Sequence, residues 1–105
     1  MALDTIGRPW PNDMKAVLIR RSRIAFRSGF IEMVVWQLPR PTPPSQHSYK
    51  YRLAYVINGR RVVGYDNERG KGDHKHIGGI ELPYLFINPD QLIADFLADI
   101  EGAEP

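Results

Sequence analysis

The order of apolar and polar positions predicts a chain built mainly from β-strands. Residues 49–57 alternate between large apolar side chains and smaller or polar ones, which is typical of a strand with one buried face. Asn58-Gly59 follows directly and favours a two-residue type I′ hairpin turn. Residues 60–66 then predict the returning strand of a β-hairpin.

A turn of two residues also predicts which residues of this hairpin face each other. In the absence of a bulge, Arg52 lies opposite Tyr65. The same register brings His47 and Lys50 to the end of the sheet where residues 71–76 lie. We therefore expect all three histidines of the chain to lie close together.

Two further strands precede the hairpin. Residues 15–26 and 30–38 are rich in apolar residues, and Ser28-Gly29 between them predicts a turn. The second of these strands is apolar on both faces, so we expect it inside the sheet rather than at an edge. Prolines interrupt residues 40–48, which predicts an extended loop.

The last part of the chain predicts one amphipathic helix. Asn88 is a favourable N-cap, Pro89 suits the first helical position, and Gln91 stands where a capping box requires it. The apolar face comprises Leu92, Ile93, Phe96, Leu97 and Ile100. We predict an α+β fold in which an antiparallel meander of four or more strands carries this C-terminal helix on one face.

Length and composition indicate one small domain. A chain of 105 residues with 43% hydrophobic residues supports one core, and we place this single α+β domain at residues 14–105. Residues 1–13 contain structure-breaking glycine and prolines and are expected to form a poorly ordered lead, with Met14 as an alternative start. The sequence shows no cysteine, no signal peptide and no apolar run of membrane length. We therefore expect a cytoplasmic protein without a membrane partner.

The charge of the chain is unevenly distributed, although the net charge is only +2. Residues 14–61 contain ten lysines and arginines against one acid, Glu32, whereas residues 88–105 contain five acids and no base. A basic half is typical of a protein that binds a polyanion such as RNA. Neutralisation of a basic sheet by its own acidic helix is the other interpretation. The candidate nucleic-acid contacts are Arg21, Arg23, Lys50, Arg52 and Arg61.

Residues 65–76 concentrate the side chains that could carry chemistry, because they include two histidines, three carboxylates and two lysines. A metal-independent ribonuclease needs a base for the 2′-hydroxyl proton, an acid for the leaving oxygen and cations for the phosphate charge. This hypothesis requires no metal and no cofactor. It assigns proton transfer to His74 and His76, phosphate binding to Lys71, Lys50 and Arg52, phosphate positioning to Tyr65 and histidine orientation to Asp73, with His47 as a second-line catalytic candidate.

Three other interpretations of these residues stand beside the ribonuclease. His74 and His76 in an extended segment point to one side, and Asp73 or Asp66 could add an oxygen ligand, as in a zinc or manganese phosphodiesterase. The glycines between residues 70 and 79 indicate a flexible surface loop, in which aspartate–histidine pairs only satisfy each other. A non-catalytic module that binds nucleic acid or protein through a basic sheet is the third.

Several segments together resemble the TumE-type toxin family. They are residues 47–56 (HSYKYRLAYV), residues 65–76 (YDNERGKGDHKH), Pro83-Tyr84 and residues 92–96 (LIADF). The Tyr-Asp-Asn…Gly-Asp-His-x-His motif is the most specific of these features. The similarity extends over residues 15–101 and leaves out residues 1–13.

This resemblance implies the toxin component of a bacterial or archaeal toxin–antitoxin module. Proteins of this family are often encoded beside a helix-turn-helix antitoxin, so a cognate antitoxin is the implied partner. RNA is implied as the target by analogy with other small toxins of such modules. We therefore expect a small RNA-cleaving or RNA-binding toxin, and the resemblance favours a functional over a purely structural interpretation of the histidines.

Overall fold

Six antiparallel strands and one C-terminal helix form the part of the chain that the computed structural model describes, which comprises residues 16–41, 43–68 and 70–103. The elements are β1 (Val17–Phe26), β2 (Gly29–Gln37), β3 (Tyr49–Ile57), β4 (Arg60–Glu68), β5 (Gly72–Ile77), β6 (Ile80–Pro83) and α1 (Pro89–Ala103). The strands lie in the sheet in chain order, so the predicted α+β meander is confirmed. The described residues between β2 and β3 contain no strand, as their prolines predict. The predicted N-terminal lead lies outside the described residues.

The turn between β1 and β2 lies at Arg27 and Ser28, one residue earlier than predicted. Arg27 takes a φ of 50°. Gly29 already belongs to β2, and a Cβ on it would lie 2.0 Å from the carbonyl oxygen of Val56 on β3. This glycine is therefore needed for the close approach of the neighbouring strand rather than for the turn.

The predicted turn between β3 and β4 is confirmed. Asn58 and Gly59 have φ values of 51° and 73°, and both central residues of a type I′ turn require such left-handed values. Ile57 and Arg60 close the turn as a pair, as predicted. The hairpin therefore begins in the expected register.

The predicted register is wrong beyond the second pair of this hairpin because β4 contains a bulge. Arg61 pairs with Val56, but the next pair joins Val63 to Tyr55, so that Val62 has no partner of its own. One extra residue on one strand shifts every later pair by one position.

The bulge decides which side chains of β4 share a face with those of β3. Arg52 lies opposite Asp66 instead of Tyr65, and Tyr65 lies opposite Leu53. Because successive side chains of a strand point to opposite faces, Asp66 shares the face of Arg52 and Tyr65 takes the other. The side chain beside Arg52 is therefore the Asp66 carboxylate and not the Tyr65 phenol that was predicted there.

The prediction of a flexible glycine loop is wrong, because residues 72–77 form a regular strand. This strand, β5, pairs with β4 on one side and with the edge strand β6 on the other. Gly72 and Gly78 have φ values of 78° and 61° and mark the turns at its two ends. The glycines thus bound a strand that holds its two histidines in a ladder of backbone hydrogen bonds.

One face of the sheet carries the hydrophobic core beneath α1. Leu92, Phe96 and Ile100 of the helix are at most 1% exposed. The sheet contributes Ile31, Met33, Val35, Tyr51, Leu53, Tyr55, Val63 and Tyr65. Burial of an apolar side chain of this size stabilises a fold by about 1.5–3 kcal/mol. Tyr51 and Tyr55 of β3 belong to this core.

The helix α1 begins as predicted, but its capping box does not close. The backbone N–H of Gln91 donates to Asn88 Oδ1 at 2.8 Å, which is the predicted N-cap bond. The side-chain amide of Gln91 donates to Asp95 Oδ1 at 2.7 Å instead of turning back to the cap. No helix among the described residues is long and apolar enough to cross a membrane.

Candidate functional site

Strand alternation brings an aspartate and two histidines to the same side of the sheet. Asp66 on β4 pairs with His74 on β5, and Gly64 pairs with His76. Directly paired residues of antiparallel strands point to the same face. Tyr65 stands between Gly64 and Asp66 and packs on a ring of α1, so the aspartate and both histidines point away from the helix. We call their side of the sheet the open face, since no helix of the described residues covers it.

His74 and Asp66 form the buried centre of this site, with exposed fractions of 4% and 5%. The Nδ1–H of His74 donates to the carbonyl oxygen of Gly72 at 3.0 Å, because a carbonyl can only accept. The other ring nitrogen, Nε2, is in contact with Asp66 Oδ1. Neither of these two atoms has a hydrogen bond to another group of the described residues.

This contact requires a proton or a metal ion between the two atoms. A neutral imidazole with its proton on Nδ1 presents a lone pair at Nε2, and an ionised carboxylate presents another. Two lone pairs in contact repel each other, and burial removes the water that would screen them. Either a second proton on His74 or a metal ion removes this repulsion.

His76 lies beside the buried pair. Its ring meets the ring of His74 edge-on, with centroids 5.0 Å apart. One ligand atom from each of Asp66, His74 and His76 lies within 4.8 Å of the other two. Burial, and after it the positive charge of Arg61, lowers the pKa of His76 below its usual value, which favours the neutral imidazole. The three side chains can therefore hold a metal ion or exchange a proton.

Two arginines add positive charge beside this cluster. Arg61 Nη1 lies 3.8 Å from Asp66 Oδ2. The Arg61 side chain lies over Gly64, where a Cβ would stand 2.6 Å from Arg61 Cδ, so the absence of a side chain at position 64 gives the guanidinium its path. Arg52 pairs with Asp66 across the ladder, and its half-exposed guanidinium lies 3.9 Å from Glu32.

A lysine and a glutamate complete the rim of the cluster. Glu81 on β6 pairs with His76, and its Oε1 lies 3.8 Å from His76 Nε2. Lys71 Nζ donates to the same oxygen at 3.2 Å, and this hydrogen bond lowers the pKa of Glu81. Lys71 therefore lies at the rim of the cluster, in an exposed ion pair.

A second group of polar side chains lies on the helix side of the sheet, around Asp73. Its carboxylate accepts hydrogen bonds from His47 Nε2 at 2.7 Å, from the Tyr51 hydroxyl at 2.6 Å and from Ser45 Oγ at 3.3 Å. Burial alone would raise the pKa of Asp73, but these hydrogen bonds outweigh it and hold the pKa below its usual value. We call these four residues the Asp73 network.

His47 has both ring nitrogens engaged in this network. Its Nδ1 accepts the backbone N–H of Tyr49 at 3.2 Å, which leaves the ring proton on Nε2 for the bond to Asp73. The ring also stacks on Phe86, with centroids 3.8 Å apart. His47 does lie at the end of the sheet where residues 71–76 lie, as expected, since it contacts Asp73. The expectation that all three histidines lie together is wrong, because the bulge turns His47 and His74 to opposite faces.

The predicted catalytic set is therefore divided between the two faces. Tyr65 is buried and its hydroxyl donates to Asp99 of α1. Asp73 orients a histidine, as predicted, but that histidine is His47. Lys50 points to the same face as Arg52 by alternation, yet it is buried and its Nζ donates to a backbone carbonyl oxygen, that of residue 67, at 2.6 Å.

The predicted arginine contacts share the open face. Arg21 pairs with Val34, and Val34 pairs with Arg52. Arg23 pairs with Glu32 and forms an ion pair with it at 3.0 Å. The open face thus carries Arg21, Arg23, Arg52 and Arg61 together with Asp66, His74 and His76.

Two members of the cluster are absent from the predicted catalytic set. Asp66 was predicted only as an alternative metal ligand. Glu81 lies on β6, a strand that was not predicted. The Asp-Asn pair that follows Tyr65 in the motif is the sequence feature that could have indicated Asp66. No local sequence feature indicates Glu81.

Comparison with known proteins agrees with the motif on β4 and β5. A family model described as Toxin TumE matches residues 13–104. The chain is thus a protein toxin by class, and it belongs to the TumE family. Membership of a toxin family implies an antitoxin partner. Neither the curated proteins nor the solved structures gave a match.

Proposed function

We propose that this toxin acts on RNA and cleaves it at the open face, at the cluster of Asp66, His74 and His76. The observation that supports this proposal most strongly is the buried contact of His74 with Asp66, set beside exposed guanidinium groups. Buried polar atoms whose hydrogen bonding is incomplete call for an explanation, and a place in a functional site is one such explanation.

The arginines of the open face are suited to hold the RNA backbone. Guanidinium groups make bidentate, charge-assisted hydrogen bonds to phosphate oxygens. Arg52 and Arg61 lie next to the cluster, whereas Arg21 and Arg23 lie two strands further along the same face. A strand of RNA bound across the sheet would therefore contact all four while one phosphodiester lies at the cluster.

The chemistry of cleavage needs activation of an attacking oxygen and stabilisation of negative charge on the phosphate. The histidines and Asp66 would supply the first requirement, since an imidazole can take up the proton of the attacking hydroxyl and return a proton to the leaving oxygen. Arg52 and Arg61 supply the second, since both guanidinium groups are partly exposed beside the cluster. The Asp73 network takes no part, because both nitrogens of His47 are already engaged.

The test is incubation of purified protein with total RNA and transfer RNA. We expect His76→Ala and Arg61→Ala to lose cleavage, whereas the neighbouring turn variant Arg60→Ala retains it. Circular dichroism of each variant shows whether it is folded. Equal cleavage by Arg61→Ala and Arg60→Ala would contradict the assignment of the site to the open face.

A non-catalytic RNA-binding toxin is the second candidate, and the row of arginines favours it. Such a toxin would bind RNA with an affinity that falls steeply with salt. Replacement of Arg21 and Arg23 by alanine would reduce the salt dependence, with all histidines intact. Tight, salt-dependent binding without any cleavage by the folded wild-type protein would select this candidate.

The antitoxin is proposed to be a helix-turn-helix protein in the same cytoplasm. It would inhibit the toxin by covering the open face. This proposal is supported by the exposed charge of Arg23 and Arg52, which a partner with acidic side chains can neutralise. The complex should protect these arginines from an arginine-modifying reagent. Unchanged modification in the complex would place the antitoxin elsewhere.

A further inference from the structure

We propose that Asp66, His74 and His76 form a binding site for a divalent transition-metal ion. The site stands on the contacts of these three residues, and only its part in RNA cleavage rests on the proposed function. The ion would replace the direct contact of His74 Nε2 with Asp66 Oδ1, bind both atoms, and take a nitrogen of His76 as its third ligand.

The first support is the state of the buried pair. His74 Nε2 and Asp66 Oδ1 are both buried, face each other and lack any other hydrogen-bond partner in the described part of the chain. A metal ion satisfies both lone pairs at once. Direct bonds to the two protein ligands offset the cost of removing the ion from water. An unpaired buried nitrogen and oxygen would instead destabilise the fold.

The second support is the way in which His74 is held. Metal-binding histidines almost always donate their other ring N–H to a carboxylate or a backbone carbonyl, which fixes the ring and selects the nitrogen that binds. His74 Nδ1 donates in this way to Gly72 O at 3.0 Å. The ring is therefore already oriented with its metal-binding nitrogen toward Asp66.

The third support is the convergence of His76. A proton shared by His74 and Asp66 would satisfy that pair without a ligand atom of His76. The three ligand atoms lie within 4.8 Å of one another, and bonds of about 2.0–2.1 Å in a tetrahedral site bring ligand atoms to about 3.4 Å. An ion would therefore require the direct contact of His74 with Asp66 to open and the His76 ring, which is more exposed than that of His74, to rotate toward it.

The ligand set identifies the class of ion. Two imidazole nitrogens and one carboxylate oxygen suit zinc and the neighbouring divalent ions of the first transition row. Three protein ligands leave at least one position for water or a phosphate oxygen, as in catalytic rather than structural sites. Arg61 approaches Asp66 Oδ2, the oxygen that does not face His74, so the carboxylate can bridge the arginine and the ion.

The site is tested by adding Zn²⁺ or Co²⁺ alone to EDTA-treated full-length protein, without RNA. Calorimetry should show one bound Zn²⁺ per chain, and Co²⁺ should give the visible absorption of a low-coordinate nitrogen–oxygen site. In the unmutated protein, Zn²⁺ should shift the ring-nitrogen resonances of His74 and His76 and leave those of His47 unchanged. Shifts at His47 alone, or no binding, would overturn the site.

Variants provide the matched comparison. Asp66→Asn and His76→Ala should weaken Zn²⁺ binding by about tenfold or more, since each removes a ligand. Asp73→Asn and His47→Gln lie on the other face and should bind as the wild type does. Equal affinity in all four variants would overturn the site.

The failure of this site and the failure of the proposed function give different results. RNA cleavage by thoroughly chelated protein that binds no Zn²⁺ would overturn the metal site and leave the ribonuclease in place. Stoichiometric Zn²⁺ binding through Asp66 and His76, without RNA cleavage by the loaded protein, would support the site and overturn the proposed cleavage.

Discussion

Asp66 and His74 face each other across β4 and β5, and the two atoms in contact have no further hydrogen-bond partner among the described residues. The pair lies next to Arg61, whose guanidinium reaches it over the bare backbone of Gly64. A buried histidine and carboxylate in such contact stabilise the fold only when a proton or a metal ion joins them. The proposed RNA cleavage is assigned to this pair together with His76.

Metal removal should lower the thermal stability of the protein. An ion that binds only the folded chain stabilises it by about 2.7 kcal/mol at a hundredfold excess over its Kd. In a domain of this size, about 1 kcal/mol shifts Tm by about 4–8 °C. We therefore expect Zn²⁺ to raise the Tm of EDTA-treated protein by about 10 °C or more, as measured by circular dichroism.

The control for this shift is a pair of aspartate variants. Asp66→Asn removes a proposed ligand and should abolish the rise in Tm with Zn²⁺. Asp73→Asn makes the same chemical change on the other face of the sheet and should keep the rise. If both variants respond to Zn²⁺ alike, the ion does not bind at the cluster.

Gly64→Ala should act through Arg61. The added Cβ would stand 2.6 Å from Arg61 Cδ, and the three nearest atoms all belong to that flexible side chain. The guanidinium would have to leave Asp66, so RNA cleavage should fall about tenfold, as expected for loss of one charge-assisted contact. The fold should remain, which thermal unfolding would show.

The matched test is the double variant. If Gly64→Ala acts only by displacing Arg61, then the double variant with Arg61→Ala should cleave RNA no more slowly than Arg61→Ala alone. Additive losses in the double variant would show that Gly64 matters for another reason.

Three tyrosines that donate hydrogen bonds to aspartates should resist ionisation in alkali. Burial, and then hydrogen bonds to aspartates, raise the pKa values of Tyr51, Tyr65 and Tyr84 above their usual value. The acceptors are Asp73, Asp99 and Asp95 in that order.

The sign of the effect on stability follows from these raised pKa values. Stability from a phenol with a raised folded pKa is fully present below its unfolded pKa of about 10 and is lost as the pH rises through the folded value. Phenolate absorbance should therefore show that these three of the five tyrosines ionise only when the protein unfolds. Reversible ionisation of all five near pH 10, in folded protein, would contradict these contacts.

Asp73→Asn should destabilise the protein without abolishing RNA cleavage. The carboxylate accepts three hydrogen bonds on the helix side of the sheet, and loss of its charge should cost about 2–3 kcal/mol. Denaturant unfolding measures this cost at pH 7. Because the folded pKa of Asp73 is lowered, the difference from wild type should shrink as the pH falls below about 4.

The local signals of the sequence predict most of this fold. Asn58-Gly59 predicts a turn of one defined type, and Asn88 predicts the start of the helix, because each depends only on neighbouring residues. The alternation of residues 49–57 predicts the buried face that Tyr51, Leu53 and Tyr55 form, for the same reason. Each of these expectations is confirmed.

The set of residues that forms the site is predicted less well, because it depends on which residues of neighbouring strands pair. Val62 and Val63 are identical, so the sequence does not show that one of them lacks a partner. That single bulge moves Asp66 to the face of Arg52 and separates His47 from the other histidines. The two clusters therefore could not be distinguished until the pairing of the strands was known.

The measurement that tests the central claim most directly compares Asp66→Asn with Asp73→Asn in living cells. Each variant exchanges one carboxylate for an amide, at a buried position in Asp66 and a partly buried one in Asp73, and the two positions lie on opposite faces of the same sheet. Growth and the integrity of cellular RNA are followed after induction of each toxin at matched protein levels. We predict that Asp66→Asn permits growth with intact RNA, whereas Asp73→Asn still arrests growth and degrades RNA. Full toxicity of Asp66→Asn with loss of toxicity in folded Asp73→Asn would contradict the claim that the open face is the working site.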